Sequence, residues 1–125
     1  MSDTKTIYDH LGDDRLLQLI RTFYSKVFVS PVLSPLFDET TKETIMDKQY
    51  CFLTQYLGGP FRYNDKYGVP RMRQSHLKHV ITPKHRDEWL KLMKESIETL
   101  DCDERLKAAL YNCFPMMAEH MTNSE

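Results

Sequence analysis

Apolar residues in this chain recur at intervals of three and four, and no alternating apolar and polar run is long enough to make a strand. That period belongs to amphipathic helices, so the expected fold class is all-α. Leu16, Leu19/Ile20, Phe23/Tyr24 and Val27/Phe28 trace a first long helix over about 14–29, preceded by Gly12-Asp13-Asp14, which can break and cap. Ser30-Pro31 and Ser34-Pro35 each set a capping hydroxyl before a proline, so a short tight helix or turn should end at Phe37. Ile45, Gln49, Phe52/Leu53 and Tyr56 predict a second long helix, stopped by Gly58-Gly59-Pro60, and the stretch from Gly58 to Pro70 reads as loop.

Thr82-Pro83 opens the next helix, whose stripe is Trp89, Met93, Ile97 and Leu100. Asp101-x-x-Glu104 resembles a capping box for the last helix, which carries Leu106, Leu110, Cys113/Phe114 and Met117. Pro115 removes a backbone donor and crowds the carbonyl of Tyr111, so a kink or restart is expected near Cys113.

At 125 residues with 41% hydrophobic content, the chain supports one core and a modest ligand pocket. We expect a single domain over 1–125, with ends near 1–6 and 122–125 that fray. Its 17 basic and 18 acidic residues are well mixed, which disfavours nucleic acid as a partner. The polar start MSDTKTIYDHLGDD does not resemble a signal peptide, and no apolar run approaches the roughly 20 residues of a membrane span. The expectation is a cytoplasmic protein with no membrane partner. Cys51, Cys102 and Cys113 are unrelated in spacing, so they suggest reduced thiols and not a disulfide framework or a thiolate metal site.

Hydrolase and nucleotide signatures are missing: there is no GxSxG, GxxxxGK, GxGxxG or HExxH. The carboxylates fit capping and solvation better than acid–base work. Of five histidines, His76 and His79 stand apart in PRMRQSHLKHVITP, where Arg71, Arg73, Lys78 and Lys84 gather positive charge. By themselves these residues fit a basic surface loop, or a His-x-x-His pair lacking the further ligands a zinc site needs. Gln49 is more informative, because a polar amide on the face of Ile45, Phe52 and Tyr56 must find a partner if buried.

Taken in order, FYSKV (Phe23–Val27), PLF (Pro35–Phe37), FLTQYLGGP (Phe52–Pro60) and Arg71, Arg73, His76, Ile81-Thr82 and Trp89 resemble the group II truncated haemoglobins, from about Ile7 to about Met121. The resemblance implies a two-over-two helical sandwich around haem b. It makes His76 the proximal iron ligand and Phe37 a ring packed on the porphyrin. Tyr24, Gln49 and Trp89 face the sixth coordination site, with Ile45 where many globins place a polar gate. Lys48 and Arg73 meet the haem propionates and Tyr63 the polar edge, while Phe52, Leu53, Ile81 and Met93 complete the cofactor wall.

The chain departs from the family at Ser75, where a basic residue commonly precedes the proximal histidine, and at His79, where an aromatic ring is usual. His79 is therefore the rival ligand. Val69 stands where histidine is frequent, and Gly12 is the one glycine kept of a usual pair.

The implied function is tight, reversible binding of dioxygen at a five-coordinate iron, or of nitric oxide, carbon monoxide, cyanide or sulfide. Distal donors each contribute on the order of 1 kcal/mol or more to such binding. A redox enzyme, dioxygenating nitric oxide or turning over peroxide with a reductase as partner, is the reading from a different class. A haem-free, globin-shaped interaction module is the third. Monomer and homodimer are both compatible with the sequence.

Overall fold

The computed structural model describes residues 5–37, 42–68 and 82–121. Among these the regular elements are all helical: α1 (Ile7–Leu11), α2 (Asp13–Val27), a 3₁₀ turn (Ser34–Phe37), α3 (Lys42–Tyr56), α4 (Arg62–Tyr67), α5 (Pro83–Glu98), α6 (Glu104–Tyr111) and α7 (Pro115–Met121). Helix α2 packs on α3 and α5 packs on α7, and the contact between α2 and α5 joins the two pairs into a two-over-two sandwich.

The long helices form where the apolar period runs. Leu16, Leu19, Ile20, Phe23, Tyr24 and Val27 all lie on the buried face of α2, and burying each such side chain contributes ~1.5–3 kcal/mol. Phe23, Leu53, Leu110 and Phe114 are fully buried and tie α2, α3, α6 and the start of α7 into one core. Helix α5 starts as its sequence dictates: Thr82 Oγ1 accepts the His85 N–H, and the His85 ring nitrogen Nδ1 accepts the Thr82 N–H at 2.9 Å. A histidine thus takes the place of the usual glutamate in a capping box.

Several expectations need correction. The stretch from Gly58 to Pro70 is not all loop, because Arg62–Tyr67 forms α4. The last helical region starts from Asp103, whose carboxylate accepts the Leu106 N–H at 2.7 Å, and not from Asp101. The first long helix closes at Val27, short of 29. Helix α1 was not anticipated; Thr6 and Asp9 cap it reciprocally, and Gly12 at φ +85° turns the chain from α1 into α2. Pro115 acts as expected: α6 stops at Tyr111 and α7 restarts at the proline. The Cys113 carbonyl in that break accepts the Tyr56 hydroxyl at 2.7 Å. Cys51, Cys102 and Cys113 carry free thiols. No helix among the described residues is long and apolar enough to cross a membrane.

Candidate functional site

The candidate site is carried on α2, α3 and α5, and each of these helices brings one polar side chain that makes no hydrogen bond to another described residue. Tyr24 sits on the buried face of α2, and burial alone pushes its phenol well above its ordinary range. Among the described residues its hydroxyl makes no hydrogen bond. No polar side-chain atom that is itself enclosed lacks a partner among these residues. Gln49 of α3 and Trp89 of α5 are half-buried, and their amide and indole N–H likewise make no hydrogen bond to a described residue. No hydrogen bond joins Gln49 to Tyr24.

Aromatic contacts hold Tyr24 and Trp89 in place. Phe37 meets the Tyr24 ring edge-on at 6.3 Å. Phe28 lies 5.5 Å from Tyr24 and 6.0 Å from Phe37. Trp89 reaches Tyr24 through Phe23, whose ring stands edge-on to both at 5.0 Å, and Phe114 backs the indole at 5.6 Å. Such pairs contribute ~0.5–1.5 kcal/mol each beyond their burial. Phe23 and Phe28 were not singled out from sequence as site residues, although both belong to the apolar stripe around Tyr24.

A second aromatic group runs from α3 to α4. Phe52 stacks on Tyr56 at 5.5 Å and meets Tyr63 edge-on at 5.9 Å, and Tyr63 lies 5.2 Å from Tyr67. Lys48 is exposed, with its ammonium 5.5 Å from the centre of the Tyr67 ring. Tyr67 donates to the Asp47 carboxylate, as does Lys66 at 2.6 Å. Lys66, followed by Tyr67, holds the Asp47 carboxyl below its usual range. Tyr67 and Asp47 had no role in the sequence reading; their partnership bridges two helices that periodicity does not connect.

Leu53 and Met93 are buried apolar wall, and Ile45 is half-buried against the core. Tyr24, Phe37, Phe52, Tyr63 and Trp89 therefore fall into two aromatic groups carried on neighbouring helices. His76, Arg73 and Ile81 lie outside the described residues, as do Arg71, Lys78 and His79. The segment holding them is framed by Gly68 at the end of α4 and the Thr82 cap of α5.

The donor set fits a haem with a small ligand. Tyr24, Gln49 and Trp89, on three helices, carry hydrogen-bond donors with no partner among the described residues, beside aromatic and aliphatic side chains, which suits a flat apolar group carrying one polar ligand.

Comparison with known proteins agrees. The family model of the bacterial-like globins matches residues 6–123. The chain is 38% identical over 116 residues to the group 2 truncated hemoglobin YjbI of Bacillus subtilis (strain 168), covering 93% of this chain and 87% of that protein. The group II truncated hemoglobin of Bacillus anthracis superposes with a TM-score of 0.90 at 35% identity, over 98% of this chain and 95% of that one. The truncated oxygen-avid haemoglobin of Bacillus subtilis does so at 0.87 and 37% identity, over 95% of this chain and 100% of that one. With a matching model along almost its whole length and the helical sandwich those relatives share, this chain belongs to the bacterial-like globins, as a group II truncated haemoglobin, and membership implies haem-based oxygen binding.

Proposed function

We propose that the chain binds one haem b through His76 and holds dioxygen, or another small diatomic ligand, tightly and reversibly against Tyr24, Gln49 and Trp89. The observation that carries this reading is that these three side chains, from three different helices, have donors with no partner among the described residues. When bound, haem would supply an iron that can take an imidazole nitrogen and a small diatomic ligand.

The protein's own residues then decide how that ligand is treated. Tyr24 offers a phenolic hydrogen and Trp89 an indole hydrogen, while Gln49 can donate from its amide nitrogen. The raised phenol pKa keeps Tyr24 protonated, hence a donor, throughout the physiological range. Ile45 offers no polar atom, so stabilisation falls on the other three. Phe37, Phe52, Leu53, Ile81 and Met93 would cover the porphyrin faces and exclude water. Lys48 and Arg73 would meet the propionates, with Tyr63 at the edge; releasing Lys48 from the Tyr67 ring forfeits only an exposed cation–π contact, about 0.5–1 kcal/mol.

The test is to measure oxygen dissociation together with steady-state turnover of nitric oxide or peroxide in the presence of a reductant. Slow oxygen release with negligible turnover supports a binding protein. Rapid turnover with either substrate would contradict it in favour of a redox enzyme that needs a reductase.

A further inference from the structure

Helix α3 carries two opposed faces. Ile45, Gln49, Phe52 and Tyr56 lie on one, and Asp47, Tyr50, Cys51 and Thr54 lie about 180° away at 3.6 residues per turn. The second face is bound on its outer side by α4 and by the first residue of α2. Asp13 is the centre of that attachment. Its carboxylate accepts the Tyr50 hydroxyl at 2.7 and 2.8 Å on its two oxygens, the Tyr8 hydroxyl at 3.0 Å and Arg62 Nη1 at 2.8 Å. Arg62 also donates to the Tyr50 oxygen and reaches Thr54 Oγ1 at 3.4 Å.

Four helices thus meet at one carboxylate: Tyr8 from α1, Asp13 itself from α2, Tyr50 from α3 and Arg62 from α4. The backbone is closely packed at this junction. The Tyr8 N–H bonds the Leu57 carbonyl at 3.0 Å, and a Cβ on Gly59 would stand 2.6 Å from the Tyr8 ring and 2.8 Å from the Thr54 carbonyl. The Arg62 guanidinium, then the Tyr50 phenol, hold the Asp13 carboxyl below its usual range, while burial and the Asp13 bond push Tyr50 up to about 12. Both groups therefore keep the protonation states this geometry needs across the neutral range. Tyr50 directly follows Gln49, so a rotation of α3 that moves one moves the other.

We propose that Asp13 is a positioning residue for the distal face: through Tyr50 and Arg62 it fixes the rotation of α3 against α2, and with it the reach of Gln49 toward the ligand that Tyr24 addresses. The inference rests on the distal role of Gln49 proposed above.

The test uses the full-length, haem-loaded protein and its Asp13→Asn, Tyr50→Phe and Gln49→Ala variants, singly and with each of the first two combined with Gln49→Ala. Oxygen dissociation, the C–O stretching band of the carbon monoxide complex and the thermal midpoint are read on each. Asp13→Asn and Tyr50→Phe should each speed oxygen release by about threefold or more and move the C–O band, and both effects should disappear in the Gln49→Ala background, as expected for residues sharing one network. Asp13→Glu should restore part of the wild-type band. A lowered thermal midpoint with unchanged release and band would overturn the proposal, leaving the cluster a stabilising clamp, and so would effects that simply add to Gln49→Ala. Should Asp13→Asn fail to fold, Tyr50→Phe, which removes a single hydroxyl, carries the same test. If Gln49→Ala alone changes neither release nor band, it is the distal reading of Gln49 that fails.

Discussion

Replacing Tyr24 by phenylalanine should move stability and ligand retention independently, and the structure says by how much. The phenylalanine ring keeps the contacts with Phe23, Phe28 and Phe37 at 5.0, 5.5 and 6.3 Å. Only the hydroxyl is lost, and among the described residues it bonds nothing. An ordinary buried tyrosine with a bonded hydroxyl would lose about 1 kcal/mol on this change, roughly 4 °C in midpoint for a domain of this size. Tyr24→Phe should therefore leave the thermal midpoint of the anaerobic ferrous protein unchanged or slightly raised. Its oxygen dissociation rate should rise about tenfold, the factor that corresponds to losing ~1.4 kcal/mol from the bound state. Stopped-flow release of oxygen and thermal unfolding of the same preparations supply both numbers. A midpoint lowered by several degrees with an unchanged release rate would refute the reasoning, because the hydroxyl would then serve the fold and not the ligand.

Phe23→Ala removes the fully buried ring that joins Tyr24 to Trp89 and should cost ~3–5 kcal/mol in denaturant unfolding, with weakened haem retention; a loss under ~1 kcal/mol would contradict its placement. Asp13 and Asp47 both have folded pKa values below the unfolded one of about 3.9, so their contribution is complete above that pH and is lost as pH falls through the folded values. Because Asp13 and Asp47 side chains are 41% and 37% exposed, solvent screening holds the joint effect to about 1 kcal/mol. Unfolding curves from pH 6 to 3 should accordingly fall more steeply for wild type than for the Asp13→Asn/Asp47→Asn double variant, and parallel curves would count against the pairing. Thr82→Ala should cost ~1 kcal/mol by removing the acceptor for the His85 N–H, measurable by urea unfolding, and an unchanged midpoint would mean the cap is dispensable.

The long helices were legible because each buries one face at helical spacing: α2 follows its apolar stripe residue for residue, while α5 buries Met93 and Ile97 of its stripe together with Leu92 and Ser96, and ends at Glu98, before Leu100. Pro115 was legible for a different reason, since a missing donor and a steric clash act locally. What stayed hidden was either short or non-local. A five-residue α1 and a six-residue α4 are too brief to show a period, although Thr6-x-x-Asp9 held a capping signal for the first. Asp101 and Asp103 are chemically equal candidates for the cap, and the choice between them is settled by where the chain turns after Leu100. Asp13 reads in sequence as a first-turn carboxylate at a helix start; only folding brings Tyr8, Tyr50 and Arg62 to it.

The site divides in the same way. Tyr24 and Trp89 look like ordinary core on their stripes, and only the folded structure shows that their hydroxyl and indole N–H have no hydrogen-bond partner among the described residues. Gln49 alone announced itself in sequence, as an amide on an otherwise apolar face. Phe23 was indistinguishable from any other stripe residue until it was found wedged between Tyr24 and Trp89.

The central claim is an iron site built on His76, and the visible spectrum of the reduced protein with and without carbon monoxide tests it most directly. Wild type and His79→Ala should both give a five-coordinate ferrous haem that converts to a carbon monoxide complex, whereas His76→Ala should lose the native iron–histidine spectrum. A His76→Ala protein with the wild-type spectrum, or a His79→Ala protein without it, would contradict the assignment.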